Sequence, residues 1–174
     1  PYDRELNAAF NAGGMTAKKA MVGMIARFAQ GDVPEALNYQ PGNPAYRSAW
    51  EDTVAAGREF NEPGRFTTLF GFEWTSLVNG NNLHRVVLMR DNAAVAEKVE
   101  PYTTTPPVGS PNPRDLWKWM QDWEALTGGQ MLAIPHNGNL SNGWMFPLVD
   151  NFAGDRALDA DYAKTRQHWE PLVE

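Results

Sequence analysis

Apolar residues recur at helical spacing in several stretches of the chain, with short β-rich runs between them. Met21, Met24, Ile25 and Phe28 fall at i, i+3, i+4 and i+7 before Gly31, a period that predicts an amphipathic helix in the small, helix-prone first thirty residues. The Gly/Pro stretch from Gly31 to Gly42 reads as a connector. Asn43 then stands at an N-cap position and Pro44 at the first helical position. The stripe Tyr46, Trp50, Val54 and Gly57 predicts a second helix ending near Phe60, stopped by Pro63-Gly64. Phe66 to Trp74 and Leu83 to Arg90 are rich in β-branched, aromatic and aliphatic residues and predict two strands. The turn-forming NGNN from Asn79 to Asn82 joins them as a hairpin or as neighbours in a sheet.

A Pro/Thr/Ser loop from Pro101 to Pro111 leads to Asn112, Pro113 and Asp115, which open a third helix with the stripe Leu116, Trp119, Met120, Trp123 and Leu126. Gly128-Gly129 ends it. The apolar run Gln130 to Ile134, directly after a helix, predicts a strand buried on both faces of an α/β sheet. His136 to Pro147 is an Asn- and Gly-rich loop, and Asp159 to Trp169 predicts a last helix. This order of elements predicts parallel strands whose carboxyl ends open to solvent, where polar residues form a ligand site.

Composition narrows the function classes. The 174 residues are 43% hydrophobic and carry 15 Lys+Arg against 21 Asp+Glu, for a net charge of −6. That length and apolar share suit one domain with a real core. A net acidic chain without a basic cluster gives no support to nucleic-acid binding. No run reaches the roughly 18 apolar residues of a membrane span, so no membrane partner is expected. The absence of cysteine removes disulfides, thiolate nucleophiles and Cys-ligated metals, leaving His, Asp and Glu as metal ligands. A soluble protein of cytoplasm or periplasm fits equally, and the oligomeric state is left open.

Of three histidines, His84 in NNLHRVVLM and His136 in LAIPHNG lie immediately beside predicted strands. Each taken alone serves as readily in packing as in ligation. Glu73 sits within the apolar run LFGFEW, where a carboxylate taken out of water requires compensation by a metal, or by Arg65, Arg85 or Arg90, unless it faces outward. Asn137, Asn139, Ser141 and Asn142 suit contacts to a polar substrate and suit turn chemistry about as well. Arg85 and Arg114 could bind phosphate or form salt bridges. Trp117, Trp119 and Trp123 have the spacing of core residues, and His168 that of a solvated helix position.

GFEW at Gly71 to Trp74, His84 in LHRVVL eleven positions after Glu73, and IPHNG at Ile134 to Gly138 together resemble the polymerase and histidinol phosphatase (PHP) superfamily. The longer strings FGFEWTSLVNGNNLHRVVL, SPNPRDLWKWM and IPHNGNLSNGWMF are similar to one PHP-like bacterial family, domain of unknown function 3604, with the likeness running from about Tyr46 onward. The resemblance implies an α/β fold of the distorted (β/α) barrel type and a divalent metal site of Zn, Mn or Fe. It implies Glu73, His84 and His136 as metal ligands, and a small phosphoester as substrate. Asn137, Asn139 and Arg85 are the candidate substrate contacts.

PHP proteins also use an early His-x-His pair and a late Asp-x-His, and neither occurs between Pro1 and Glu174. The expectation is therefore that residues 1–174 form a single partial domain, an internal fragment of a longer metal-dependent phosphoesterase, lacking the first and last metal-motif strands. Its metal site would be incomplete and its own activity slight. The competing reading is a non-catalytic carbohydrate- or polyol-binding module, with Trp74, Trp144 and Phe146 stacking on sugar faces.

Overall fold

Asn43 and Asn112 each cap a helix whose first residue is proline, as the sequence predicts. In the computed structural model, which describes residues 2–32 and 38–174, the Asn43 side chain accepts from the Ala45 amide at the start of Pro44–Phe60. The Asn112 side chain accepts from the Arg114 amide at the start of Pro113–Thr127. Each bond satisfies one amide that the first turn of a helix leaves unpaired. Gly128, at φ 75°, then closes the second of these helices with the left-handed residue that glycine adopts without steric cost.

The first thirty residues form two helices, α1 (Tyr2–Ala12) and α2 (Gly14–Ala29). Gly13 and Gly14 both have positive φ and break the chain between them. The predicted stripe lies on α2, but Met21, Ile25 and Phe28 are exposed and belong to no core cluster, so the pattern gave the helix and not its burial. The predicted connector lies partly outside the described residues. The remaining elements are α3 (Pro44–Phe60), β1 (Phe70–Trp74), β2 (Leu77–Val78), β3 (Asn81–Asn82), β4 (Arg85–Met89), the single turn α4 (Ala93–Ala96), α5 (Pro113–Thr127), β5 (Met131–Pro135), β6 (Val149–Asp150), β7 (Arg156–Ala157) and α6 (Ala160–Trp169).

The main sheet has the order β1-β4-β5 with both pairings antiparallel: β1 and β4 take the hairpin alternative, while the antiparallel β4–β5 pairing corrects the parallel sheet expected from the sequence. Trp74 lies opposite Arg85, and Arg85 opposite Pro135. The link from β1 to β4 is too short for a crossover to a parallel neighbour, and it carries only the small β2/β3 ladder. The link from β4 to β5 is long enough, but it is spent differently. The Ser76 hydroxyl donates to the Pro111 carbonyl at 2.8 Å, so α5 starts at the rim where β1 ends. The Gln130 amide donates to Asp91 at 2.7 Å, so α5 finishes where β4 ends, and β5 has to run back. The described residues form a mixed α/β fold of helices and small antiparallel sheets, with no closed barrel among them.

Phe70, Trp74, Val87, Met89, Met131 and Ala133 turn one face of the sheet into the core, against Trp50 and Val54 of α3, Leu116, Trp117, Met120 and Trp123 of α5, and Tyr162 and Trp169 of α6. Each large ring so placed removes roughly 150–250 Å² from water, on the order of 4–6 kcal/mol at about 25 cal/mol/Å². The other face carries Gly71, Glu73, Val86, Leu88, Leu132 and Ile134, which are partly exposed or exposed and outside that core. The run Gln130 to Ile134 is thus fully buried on one face only, with Leu132 and Ile134 half-buried on the other.

Candidate metal centre

Antiparallel pairing brings the carboxyl end of β1, the amino end of β4 and the carboxyl end of β5 to one rim. Period-two alternation then decides the side: Trp74, Arg85 and Pro135 point into the core, so Glu73, His84 and His136, each one residue away, project from the opposite face. Glu73 Oε1 accepts from His84 Nδ1 at 3.1 Å and from His136 Nε2 at 2.9 Å. The imidazoles meet edge to face with centroids 5.9 Å apart. One potential ligand atom from each of the three residues lies within 4.8 Å of those of the other two.

Glu73 is not a buried carboxylate, because its side chain is 47% exposed at the strand end, beside imidazoles that are 19% (His84) and 11% (His136) exposed. Its partners are these histidines, and not Arg65, Arg85 or Arg90. Partial burial would raise the Glu73 pKa, but the hydrogen bonds and charge of the two imidazoles outweigh it and hold the carboxyl below its ordinary value. Burial holds the His84 imidazole below its ordinary value, against the pull of Glu73. An ionised carboxylate beside a neutral imidazole is the protonation state that metal ligation requires.

The donor set fits a divalent ion. For bonds of about 2.0–2.1 Å to a tetrahedral metal, neighbouring ligand atoms lie ~3.3 Å apart, close to the spacings Glu73 already makes with both histidines. The nitrogens at that spacing are His84 Nδ1 and His136 Nε2, which would hold the ion through their lone pairs in the tautomers protonated at the other ring nitrogen. His84 Nε2 is buried without a hydrogen-bond partner. Two imidazoles and a carboxylate suit zinc, manganese or iron.

The backbone beneath the site is tied at each step. The His84 amide donates to Asn82 Oδ1 at 3.0 Å, the His84 carbonyl accepts from the His136 amide at 3.3 Å, and the Leu83 amide donates to the Ser76 carbonyl at 2.9 Å. Asn137 follows with φ 56° and opens the short turn Gly138–Leu140, leaving Asn137 and Asn139 exposed beside His136. Ser141 and Asn142 are engaged within the fold: the Ser141 hydroxyl donates to the Gly138 carbonyl, and the Asn142 amide group donates to Asn81 Oδ1.

Arg85, expected among the substrate contacts, is placed in the core instead. Its side chain and that of Glu170 are each 1% exposed, and its Nε donates to Glu170 Oε1 at 3.0 Å. One residue of strand alternation separates it from the open face. Arg114 likewise pairs with Asp150, at 2.8 Å, and lies over the Tyr162 ring. Trp74, required as a stacking platform by the sugar-binding alternative, is 1% exposed in the core. Trp144 is half-buried, and Arg166 lies over the Phe146 ring. His168 is exposed against Trp169.

Sequence reasoning missed Glu170, whose only signal was a carboxylate directly after an aromatic helix end, and Asn82, which read as turn chemistry.

Among curated proteins and among solved structures, nothing matches this chain. The model of the family described as "Protein of unknown function (DUF3604)" matches residues 2–174. Spanning nearly the whole sequence, that match includes the strands and loops that carry Glu73, His84 and His136, and the chain belongs to the DUF3604 family.

Proposed function

We propose that Glu73, His84 and His136 are ligands of a divalent metal centre, with zinc, manganese or iron as the ion, in a hydrolase of small phosphoesters built on a partial PHP-type barrel. The convergence of one carboxylate and two imidazoles, from three strand ends, on ligand spacing carries this reading. Glu73, the most exposed of the three, turns Oε1 toward both histidines, a geometry suited to holding an ion between them. The neutral His84 and the ionised Glu73 present lone pairs without a prior proton loss at neutral pH. A bound divalent ion supplies positive charge that neutralises phosphoryl oxygens and makes water a stronger acid. Asn137 and Asn139, on the turn after His136, orient the polar substrate through their amides. Arg85 serves from below the site and does not touch substrate.

Metal content and activity test this together. Dialysis of the purified chain against zinc or manganese should load metal that a chelator removes, and Glu73→Ala should abolish the uptake. Hydrolysis of p-nitrophenyl phosphate by this chain is expected to be slight and to disappear with chelator. Phosphatase activity indifferent to chelator, or metal uptake unchanged in Glu73→Ala, overturns the proposal.

A further inference from the structure

His84 is held locally by its amide, which donates to Asn82 Oδ1, and across the sheet by its carbonyl, which accepts from the His136 amide. Arg85 runs into the core from the next residue, and its guanidinium donates both to the Leu83 carbonyl and to Glu170. The side chain of Arg85 therefore closes a staple across His84, from residue 85 back to residue 83. Its far anchor is Glu170, 85 positions away at the end of α6. Glu170 is held in turn by the Trp117 indole, which donates to Oε1 at 2.9 Å, and by Arg166 at 3.0 Å from Oε2. The segment after α6 reaches the second histidine as well: the Glu174 amide donates to the carbonyl of Pro135, the residue before His136, at 3.1 Å.

We propose that Glu170 is a positioning residue for His84, acting through the buried guanidinium of Arg85, so that the end of α6 sets the imidazole against Glu73. An ion pair this deeply buried gains little net stability over an apolar pair of similar volume. What it provides is direction: the planar guanidinium fixes two acceptors at defined angles, which an apolar side chain cannot do. Metal ligands held by oriented supporting groups lose affinity when those groups are changed, even when the ligands remain. The consequence for metal binding rests on the metal-centre reading. The placement of His84 does not, and it can be read in metal-free protein.

The experiment compares the wild-type chain with Glu170→Gln and with the paired replacement Arg85→Met plus Glu170→Leu, which removes both charges of the pair together while the Trp117 indole and Arg166 lose their acceptor. Circular dichroism verifies folding. In metal-free protein, NMR should show contacts between the His84 and His136 rings in the wild type, weakened contacts in Glu170→Gln, and their loss in the folded paired variant. Zinc affinity, by equilibrium dialysis, should fall about tenfold or more in the paired variant. In a His84→Ala background the same replacement should cause no further fall, since the positioned ligand is already gone. Ring contacts that persist in a folded paired variant overturn the proposal, as does an equal affinity loss in the His84→Ala background. Should the paired variant fail to fold, unaltered ring contacts in Glu170→Gln overturn it as well. A wild-type chain that takes up no zinc defeats the metal reading, while the ring contacts decide the positioning claim on their own.

Discussion

Glu73 accepts a hydrogen bond from His136 Nε2 at 2.9 Å across 63 residues of sequence. The two residues stand at the carboxyl ends of β1 and β5, strands that flank β4 and do not pair with each other. Both run antiparallel to β4, so they run parallel to each other, and their ends share a rim.

Replacing His136 with Ala removes an imidazole from that rim without opening the core, which lies on the other face of the sheet. Zinc affinity is expected to fall by about tenfold or more. The unfolding free energy should change by no more than about 1 kcal/mol, as for substitutions outside the packed core. Equilibrium dialysis and urea unfolding measure the two quantities side by side. Intact affinity, or a stability loss of several kcal/mol, contradicts the placement of this histidine at the site.

Gly71 lies two residues before Glu73, and a Cβ there would collide with the Val87 carbonyl oxygen and press on Leu88 Cδ2 at 2.9 Å. A backbone oxygen cannot move aside as a side chain can. Gly71→Ala should therefore separate β1 from β4 locally and cost roughly 1–3 kcal/mol, the range for overpacking a fitted site. Because the shift lies in the strand that carries Glu73, metal affinity should fall in the same variant. Stability equal to wild type in thermal unfolding counts against this contact.

Asn112 supplies one hydrogen bond at the start of the helix that carries Trp117 and Trp123 into the core. Asn112→Ala should cost about 1 kcal/mol, a drop in Tm of roughly 2–4 °C for a chain of this size. Asn112→Asp or Asn112→Ser should recover most of it, since either keeps an acceptor for the Arg114 amide. Equal losses in all three variants point away from capping.

Burial, assisted by the nearby Glu100 carboxylate, raises the Tyr46 phenol from 10.0 to about 12. Its hydroxyl donates to the Pro101 carbonyl at 3.0 Å, a bond that only the protonated form makes. The folded state holds this proton more tightly than the unfolded chain. The contribution is complete below pH 10 and is lost as pH rises from 10 toward 12. Between pH 9 and 11, urea unfolding should show wild type losing stability faster than Tyr46→Phe. Parallel losses in the two proteins refute the assignment.

Much of the fold is legible in the chain because its signals are local. Asn43-Pro44, Asn112-Pro113 and Gly128-Gly129 set helix ends through hydrogen bonds and dihedral preferences that span a few residues. The β-rich runs gave strands that the structure keeps, trimmed to Phe70–Trp74 and Arg85–Met89. The residues of the rim, Glu73, His84 and His136, stand out in the sequence because each interrupts or borders an apolar run with a group that can bind a metal.

Direction and partnership were not legible, since both depend on where the chain goes between elements. The path of the loop before α5 decided that β5 runs antiparallel to β4. The tertiary order of the strands then decided that His84 and His136 meet Glu73. One residue of alternation sent Arg85 inward to Glu170, and no local pattern around position 85 encodes a partner 85 residues away. Periodicity likewise placed Met21, Ile25 and Phe28 on one side of α2, yet burial requires a second surface to face them, and the described residues give those three positions none. Short-range sterics and hydrogen bonding act within a few residues and are written in the sequence. Packing is a relation between distant segments, and only the folded chain fixes it.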